Sequence, residues 1–224
     1  MVLRSPTDKR APKPVALLTG FDPFGGDAQN PCWLAVQALH GRQLAGHRIV
    51  AAQLPTVFGD SLTVLQALLR QHRPALVVCV GLAAGRSGLS LERVAINVND
   101  ARIADNAGAQ PVDTAVATDG PAAYFSSLPI KAMLLELQRA GVAAEVSQTA
   151  GTFVCNHVFY GLMHLLATQR GMRQVRGGFL HVPALPGQAA ISMPLEEMVH
   201  GLQVALRCAL TTRVDVRHGA GAVA

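Results

Sequence analysis

The chain has 224 residues, half of them apolar, and a formal charge of +5. A chain this long and this apolar can bury a sizeable core without disulfides, and nothing in its composition divides it into two domains. Aromatics at 4% leave a base-stacking surface poorly supplied, and Arg4, Lys9, Arg10 and Lys13 against Asp8 put three of the five excess charges in the first 14 residues, so no nucleic-acid partner is expected.

Cys32, Cys79, Cys155 and Cys208 are far apart and form no C-x-x-C pair, which argues against a zinc ribbon or a dithiol redox motif and for reduced thiols in the cytoplasm. No apolar run reaches the ~18 residues of a membrane helix. The apolar run Val15–Leu18 is too short for a secretory core. These features predict a disordered basic tail over 1–14, one domain over 15–212 and a flexible C-terminal tail over 213–224.

In chain order, short apolar runs predict strands at Val15–Thr19, Ile49–Leu54, Leu76–Val80, Arg93–Val98, Glu145–Ser147 and Gly178–Val182. Helices are predicted between them at Pro31–Leu39, Ser61–Gln71, Pro129–Arg139, Val154–Thr168 and Pro194–Leu210. Leu195, Met198, Val199, Leu202 and Leu206 give the last one a buried stripe. This alternation is the pattern of an α/β fold with helices on both faces of a mostly parallel sheet. Gly81 to Gly120, rich in Gly, Asn and Asp around one strand, is too long for an ordinary connection and reads as a loop that serves a site.

Within Thr149-Ala-Gly-Thr-Phe-Val-Cys-Asn-His157, Cys155 follows a glycine turn where the helix marked by Val158, Phe159, Leu162, Leu165 and Leu166 begins. Free N–H groups and the partial positive charge at a helix start lower a thiol's pKa toward neutrality, which suits a nucleophile. A cysteine there can equally be a small buried hydrophobe. A nucleophile needs a base. His157, two residues on, points about 200° away around the helix, and His164 again faces the other side. His181 closes Gly177-Gly-Phe-Leu-His-Val-Pro183, at the end of a strand stopped by proline, where α/β sites gather; the bland reading is a polar strand terminus. In Glu92-Arg-Val-Ala-Ile-Asn-Val98, alternation puts Glu92 on the side of Val94, Ile96 and Val98, where a carboxylate needs a partner, unless it is simply an exposed strand end. Phe21 and Phe24, in Gly20-Phe-Asp-Pro-Phe-Gly-Gly26, cap the core or line a pocket. Neither that glycine pair nor Gly81-Leu-Ala-Ala-Gly-Arg86 matches a nucleotide fingerprint.

Together these segments resemble the pyroglutamyl peptidase I family, also called pyrrolidone carboxyl peptidases. The resemblance runs from about Val15 to Leu210 and includes Leu17-Leu-Thr-Gly-Phe-Asp-Pro-Phe-Gly-Gly26, Asn30-Pro31 with Trp33, Leu54-Pro-Thr-Val-Phe58, Glu92-Arg-Val-Ala-Ile-Asn97, Thr149 to Met163 and Arg176-Gly-Gly-Phe-Leu-His-Val-Pro183. It implies a three-layer α/β/α sandwich, often a homotetramer. It further implies a cytosolic cysteine exopeptidase that removes N-terminal pyroglutamate from peptides without metal or cofactor. The Cys, His and Glu roles fall on Cys155, His181 and Glu92. Phe21 and Phe24 are implied to pack on the lactam, Phe153 to line the pocket, Arg102 to lie beside the oxyanion and Asn30 near the substrate loop. Leu82 stands where many members carry glutamine, and Ala104 replaces a usual proline. An alternative on the same fold is a non-catalytic protein that binds pyroglutamyl peptides.

Overall fold

The computed structural model describes residues 13–221. The tail expected over 1–14 therefore falls outside them, apart from Lys13 and Pro14. Nine strands and five helices are formed among the described residues: β1 (Val15–Phe21), α1 (Pro31–Gln37), β2 (Gln43–Leu44), β3 (His47–Leu54), α2 (Asp60–His72), β4 (Leu76–Leu82), β5 (Leu89–Glu92), β6 (Val94–Ile96), β7 (Ala123–Phe125), α3 (Ile130–Arg139), β8 (Ala144–Ser147), α4 (Val154–Thr168), β9 (Arg176–Val182) and α5 (Leu195–Thr211).

The main sheet has the order β2-β3-β1-β4-β9-β5-β8. β3, β1, β4 and β9 run parallel, while β5 is antiparallel to β9 and parallel to β8. β1 is buried along its whole length and β4 along all but its last residue, as expected of central parallel strands covered on both faces. α1 and α3 pack on α5, and α2 packs on α4, which gives the helix layers.

One expectation is corrected. The predicted strand Arg93–Val98 is β6 alone, which pairs with β7 in a separate ribbon, while the main-sheet strand before it, β5, ends at Glu92 and is not among the predicted strands. Within β6 it is Ala95, not Val94 or Ile96, that is buried. Glu92 is fully buried, but because it closes a main-sheet strand and not because it shares a face with Val94. The reading missed β5 because Leu89-Ser-Leu-Glu92 is too short to show a period against the glycine-rich segment before it.

The segment after α5 has no regular structure but lies against the body. Asp215 accepts from the N–H groups of Lys131 (3.1 Å) and Ala132 (2.9 Å), at the start of α3, where Pro129 supplies no cap. Arg93 donates to the carbonyl of Ala220.

Candidate active site

Cys155 occupies the first turn of α4, whose amino end has no side-chain cap. The N–H groups of such a first turn point outward without intrahelical partners. The turn is led in by Ser147 to Gly151, where the Ser147 hydroxyl donates to the Thr149 carbonyl (3.0 Å) and the Gly151 N–H donates to Thr149 Oγ1 (3.0 Å). Gly151 has φ 77°, a conformation that glycine adopts without strain.

The sheet delivers the other two groups. β4 and β9 pair with Gly81 beside His181, and β9 and β5 pair with His181 beside Ser90, two residues before Glu92. Paired residues present the same face, so Gly81, His181, Ser90 and Glu92 share one side of the sheet. Gly81 identifies that side: a β-carbon built on it would lie 2.9 Å from Cys155 Sγ and 2.9 Å from the Phe179 ring. The thiol therefore rests directly over Gly81, on the strand next to His181. His181 Nδ1 lies 2.7 Å from Glu92 Oε1, with both side chains buried. A carboxylate on Nδ1 fixes the tautomer and leaves Nε2 as the nitrogen available for proton exchange.

A cavity of about 310 Å³ opens above the thiol, lined by Phe21, Phe24, Asn30, Thr56, Leu82, Phe153 and Cys155 among others. This is at the small end for ligand sites. Phe24 packs on Phe153 with ring centroids 5.3 Å apart, and Phe58 meets Phe153 edge-on at 5.3 Å. Asn30 spends its polar atoms on the chain: Oδ1 accepts from the Cys32 N–H and Nδ2 donates to the Asp22 carbonyl. It caps α1 while lining the cavity. Arg102 is exposed and outside that lining.

The two histidines of α4 are committed elsewhere. His157 Nε2 accepts from the Gly59 N–H (3.1 Å), so Nδ1 holds the proton and donates to Asn99 Oδ1 (2.9 Å). Burial lowers its pKa from 6.5 to about 4. His164 lies 3.1 Å from the Tyr124 hydroxyl. Among the described residues no group of three or more His, Cys, Asp or Glu side chains could hold a metal ion.

The pKa of the nucleophile moves against the expectation drawn from its helix start. Burial pushes the Cys155 thiol up, with Cys32 and Glu92 acting the same way and Arg86 opposing them. This direction opposes the one a helix terminus gives, and a nucleophile whose pKa is raised depends on its base. Burial also pushes Cys32 and Cys79 up to about 12.

Two acidic residues that hold the backbone beside the cavity are given no role by the sequence patterns. Buried Asp105 accepts from Phe58 N–H through Oδ2 (2.8 Å) and from Ala107 and Ala109 N–H through Oδ1, while Asp22 Oδ1 accepts from Thr56 N–H (2.7 Å). They fix the Thr56–Phe58 stretch behind the aromatic wall. Asp105-Asn-Ala-Gly108 carries a turn signal that could have drawn attention to the first of them.

Comparison with known proteins decides the family. The model of the family described as pyroglutamyl peptidase matches residues 15–212. The chain belongs to the pyroglutamyl peptidase family. It is 59% identical over 210 residues to a pyrrolidone-carboxylate peptidase of Cupriavidus pinatubonensis, covering 92% of this chain and 97% of that one. It is 53% identical over 211 residues to one from Klebsiella pneumoniae, covering 92% and 97%. Among solved structures, pyroglutamyl peptidase I of Bacillus amyloliquefaciens superposes with a TM-score of 0.89 at 45% identity, covering 93% of this chain and 100% of that one. A mutant pyrrolidone carboxyl peptidase of Pyrococcus furiosus gives 0.84 at 38% identity, covering 88% and 98%. The protein is thus a pyroglutamyl peptidase, a cysteine-type omega peptidase, on the mostly parallel α/β fold expected. The non-catalytic alternative finds no support among these relatives.

Proposed function

We propose that Cys155, His181 and Glu92 carry out hydrolysis of the amide bond after an N-terminal pyroglutamyl residue. The observation that carries this reading is the stacking of Cys155 Sγ over Gly81, the register neighbour of an imidazole held by Glu92. Nε2 of His181 takes the thiol proton as Sγ attacks the pyroglutamyl carbonyl carbon. The oxyanion is held by N–H groups of the first turn of α4, each such donor being worth about 3 kcal/mol. The tetrahedral adduct expels the peptide amine, which leaves with the proton from His181. Water, deprotonated by His181, then attacks the thioester and releases pyroglutamate and the thiol. Glu92 orients the imidazole and balances its charge while it is protonated. Arg102 is assigned an auxiliary part from the rim, which Arg102→Ala tests through kcat.

Selectivity follows from the lining. The lactam end is uncharged, and Phe21, Phe24, Leu82 and Phe153 offer it apolar surface. A free N-terminal ammonium would lose its hydration there without replacement, so ordinary peptides are refused. The enzyme is assigned to the cytoplasm, a reading supported by four unpaired cysteines, and to a homotetramer, as the family resemblance implies, which sedimentation equilibrium tests.

The deciding experiment is release of a fluorogenic amine from its pyroglutamyl amide beside the prolyl and glutamyl amides, with and without iodoacetamide. Turnover of the pyroglutamyl compound alone, abolished by alkylation and by Cys155→Ala, is expected. Activity in folded Cys155→Ala overturns the assignment.

A further inference from the structure

The charge that meets Glu92 is not only the imidazole. Glu92 Oε1 accepts both from His181 Nδ1 and from Arg86 Nη1, each at 2.7 Å, while Oε2 is buried with no hydrogen-bond partner among the described residues. Arg86 is about a quarter exposed, against none for Glu92. Its second terminal nitrogen, Nη2, donates to the Thr149 carbonyl (3.2 Å), in the turn that leads into Cys155. The backbone that presents Arg86 is itself hung from the site: Arg86 N–H closes a turn on the Ala83 carbonyl, and Ala83 N–H donates to the carbonyl of Val182, next to His181. One guanidinium thus joins the acid to the turn that carries the nucleophile.

Proton transfer from Cys155 to His181 creates a row of alternating charges: thiolate, imidazolium, carboxylate and guanidinium. Without the last member the buried Glu92 would either hold an unbalanced negative charge beside the developing thiolate or take up a proton and cease to support the imidazolium. Besides His181 on β9, the titratable groups that act on the thiol are Glu92 on β5, Arg86 before it, Cys32 on α1 and Cys79 on β4; of these four, Arg86 alone favours the thiolate. The neighbouring Arg93 is turned to Gln148 and Ala220, and Glu145 is tied to Ser90. Arg93 therefore does not replace Arg86, and Glu145 adds no acid to the pair.

We propose that Arg86 is a positioning residue of this peptidase, which neutralises Glu92 and pins it to the Thr149 turn so that the thiolate–imidazolium pair forms at neutral pH. The inference rests on the roles proposed above for Cys155, His181 and Glu92. Arg86 is outside the cavity lining, so its loss bears on kcat and not on KM.

The test compares wild type, Arg86→Gln and Arg86→Lys by the pH profile of kcat/KM on a fluorogenic pyroglutamyl amide. It adds the pH dependence of iodoacetamide modification at Cys155, followed by mass spectrometry. Removing a positive charge raises the pKa of every acid near it. Both limbs of the profile, and the alkylation curve, should therefore move to higher pH in Arg86→Gln by about one unit. kcat at pH 7 should fall about tenfold or more with KM unchanged. Arg86→Lys should keep the limbs near their wild-type positions. Unmoved limbs and an unmoved alkylation curve in folded Arg86→Gln overturn the proposal, even with reduced kcat, because a merely structural role would lower kcat alone. Equal displacement in Arg86→Lys overturns it as well. Alkylation needs no turnover, so an inactive wild-type protein would count against the peptidase roles, while an active wild type with unshifted variants would count against Arg86 only.

Discussion

Replacing Gly81 with alanine probes the seat of the nucleophile without touching a reacting group. The added methyl carbon would sit 2.9 Å from Cys155 Sγ, 2.9 Å from Phe179 Cζ and 3.0 Å from Cε1 of the same ring. Comfortable separation for non-bonded heavy atoms is about 3.5–4.0 Å, so the thiol and the ring must each retreat by roughly 0.6–1.1 Å. Both lie over rigid parallel strands, and Phe179 is wedged between Phe159 and His181 at centroid distances of 5.8 and 4.9 Å, so little of that movement can be absorbed. Overpacking of this kind costs about 1–3 kcal/mol. For a domain of this size that lowers Tm by about 2–12 °C. A misplacement near 1 Å costs about a hundredfold in rate. The expected result for Gly81→Ala is a folded protein with a modestly lower Tm and kcat on a pyroglutamyl amide down by about two orders of magnitude. KM should change less than kcat, because the methyl carbon meets none of Phe24, Phe58 and Phe153. Tm by calorimetry and kcat by fluorescence decide the matter. Wild-type kcat in Gly81→Ala would refute the reasoning, since Cys155 could then not rest where the methyl group must go.

Glu92→Gln keeps the shape of the acid and loses its charge, so kcat should fall substantially, yet by less than in Cys155→Ala; equal damage in both would mean that Glu92 does more than support His181. The pKa of His157 is lowered to about 4 from 6.5; the unfolded chain therefore binds the extra proton between those values, and His157 contributes stability that is present above pH 6.5 and lost as pH falls toward 4, at most about 3 kcal/mol. Urea unfolding at pH 7, 5.5 and 4 should show that slope, and a folded His157→Gln should flatten it; an unchanged slope would assign the acid sensitivity to other groups. Asp215→Ala removes the acceptor for two N–H groups at the start of α3, so it should cost about 1 kcal/mol with kcat unchanged; no change in unfolding free energy would show that solvent serves those groups equally well.

Much of the molecule was legible before folding was considered. α4 was read at Val154–Thr168, its observed bounds, because apolar residues recur at helical spacing between a glycine turn and Gln169. The same spacing turned His157 and His164 away from the thiol, and their hydrogen bonds to Gly59, Asn99 and Tyr124 lie on other faces. Glu92 was singled out as a carboxylate in need of a partner, but the alternation invoked for it ran through a strand that does not exist as one piece. Arg86 stands six residues upstream, in a stretch read as a loop that serves a site and as failing a nucleotide fingerprint, with no role given to the arginine. A buried acid needs a counter-charge, which was reason to look for one nearby.

The sequence by itself determined the helices and the central strands, the family and the types of residue available for chemistry, because periodicity and turn residues act over a few neighbours along the chain; β2, β5 and β7, of two to four residues, are too short to show a period. Tertiary structure alone decided which of those residues meet. It set β5 between β9 and β8, antiparallel to the first and parallel to the second, which brings Glu92 to His181 across 89 residues of chain. It also set the direction in which the pKa of Cys155 moves. A helix terminus is a local property and favours a thiolate, whereas burial belongs to the packed molecule and pushes the thiol the other way. Desolvation is a sum over everything that surrounds a group, so it cannot be read from the residues beside it in the chain.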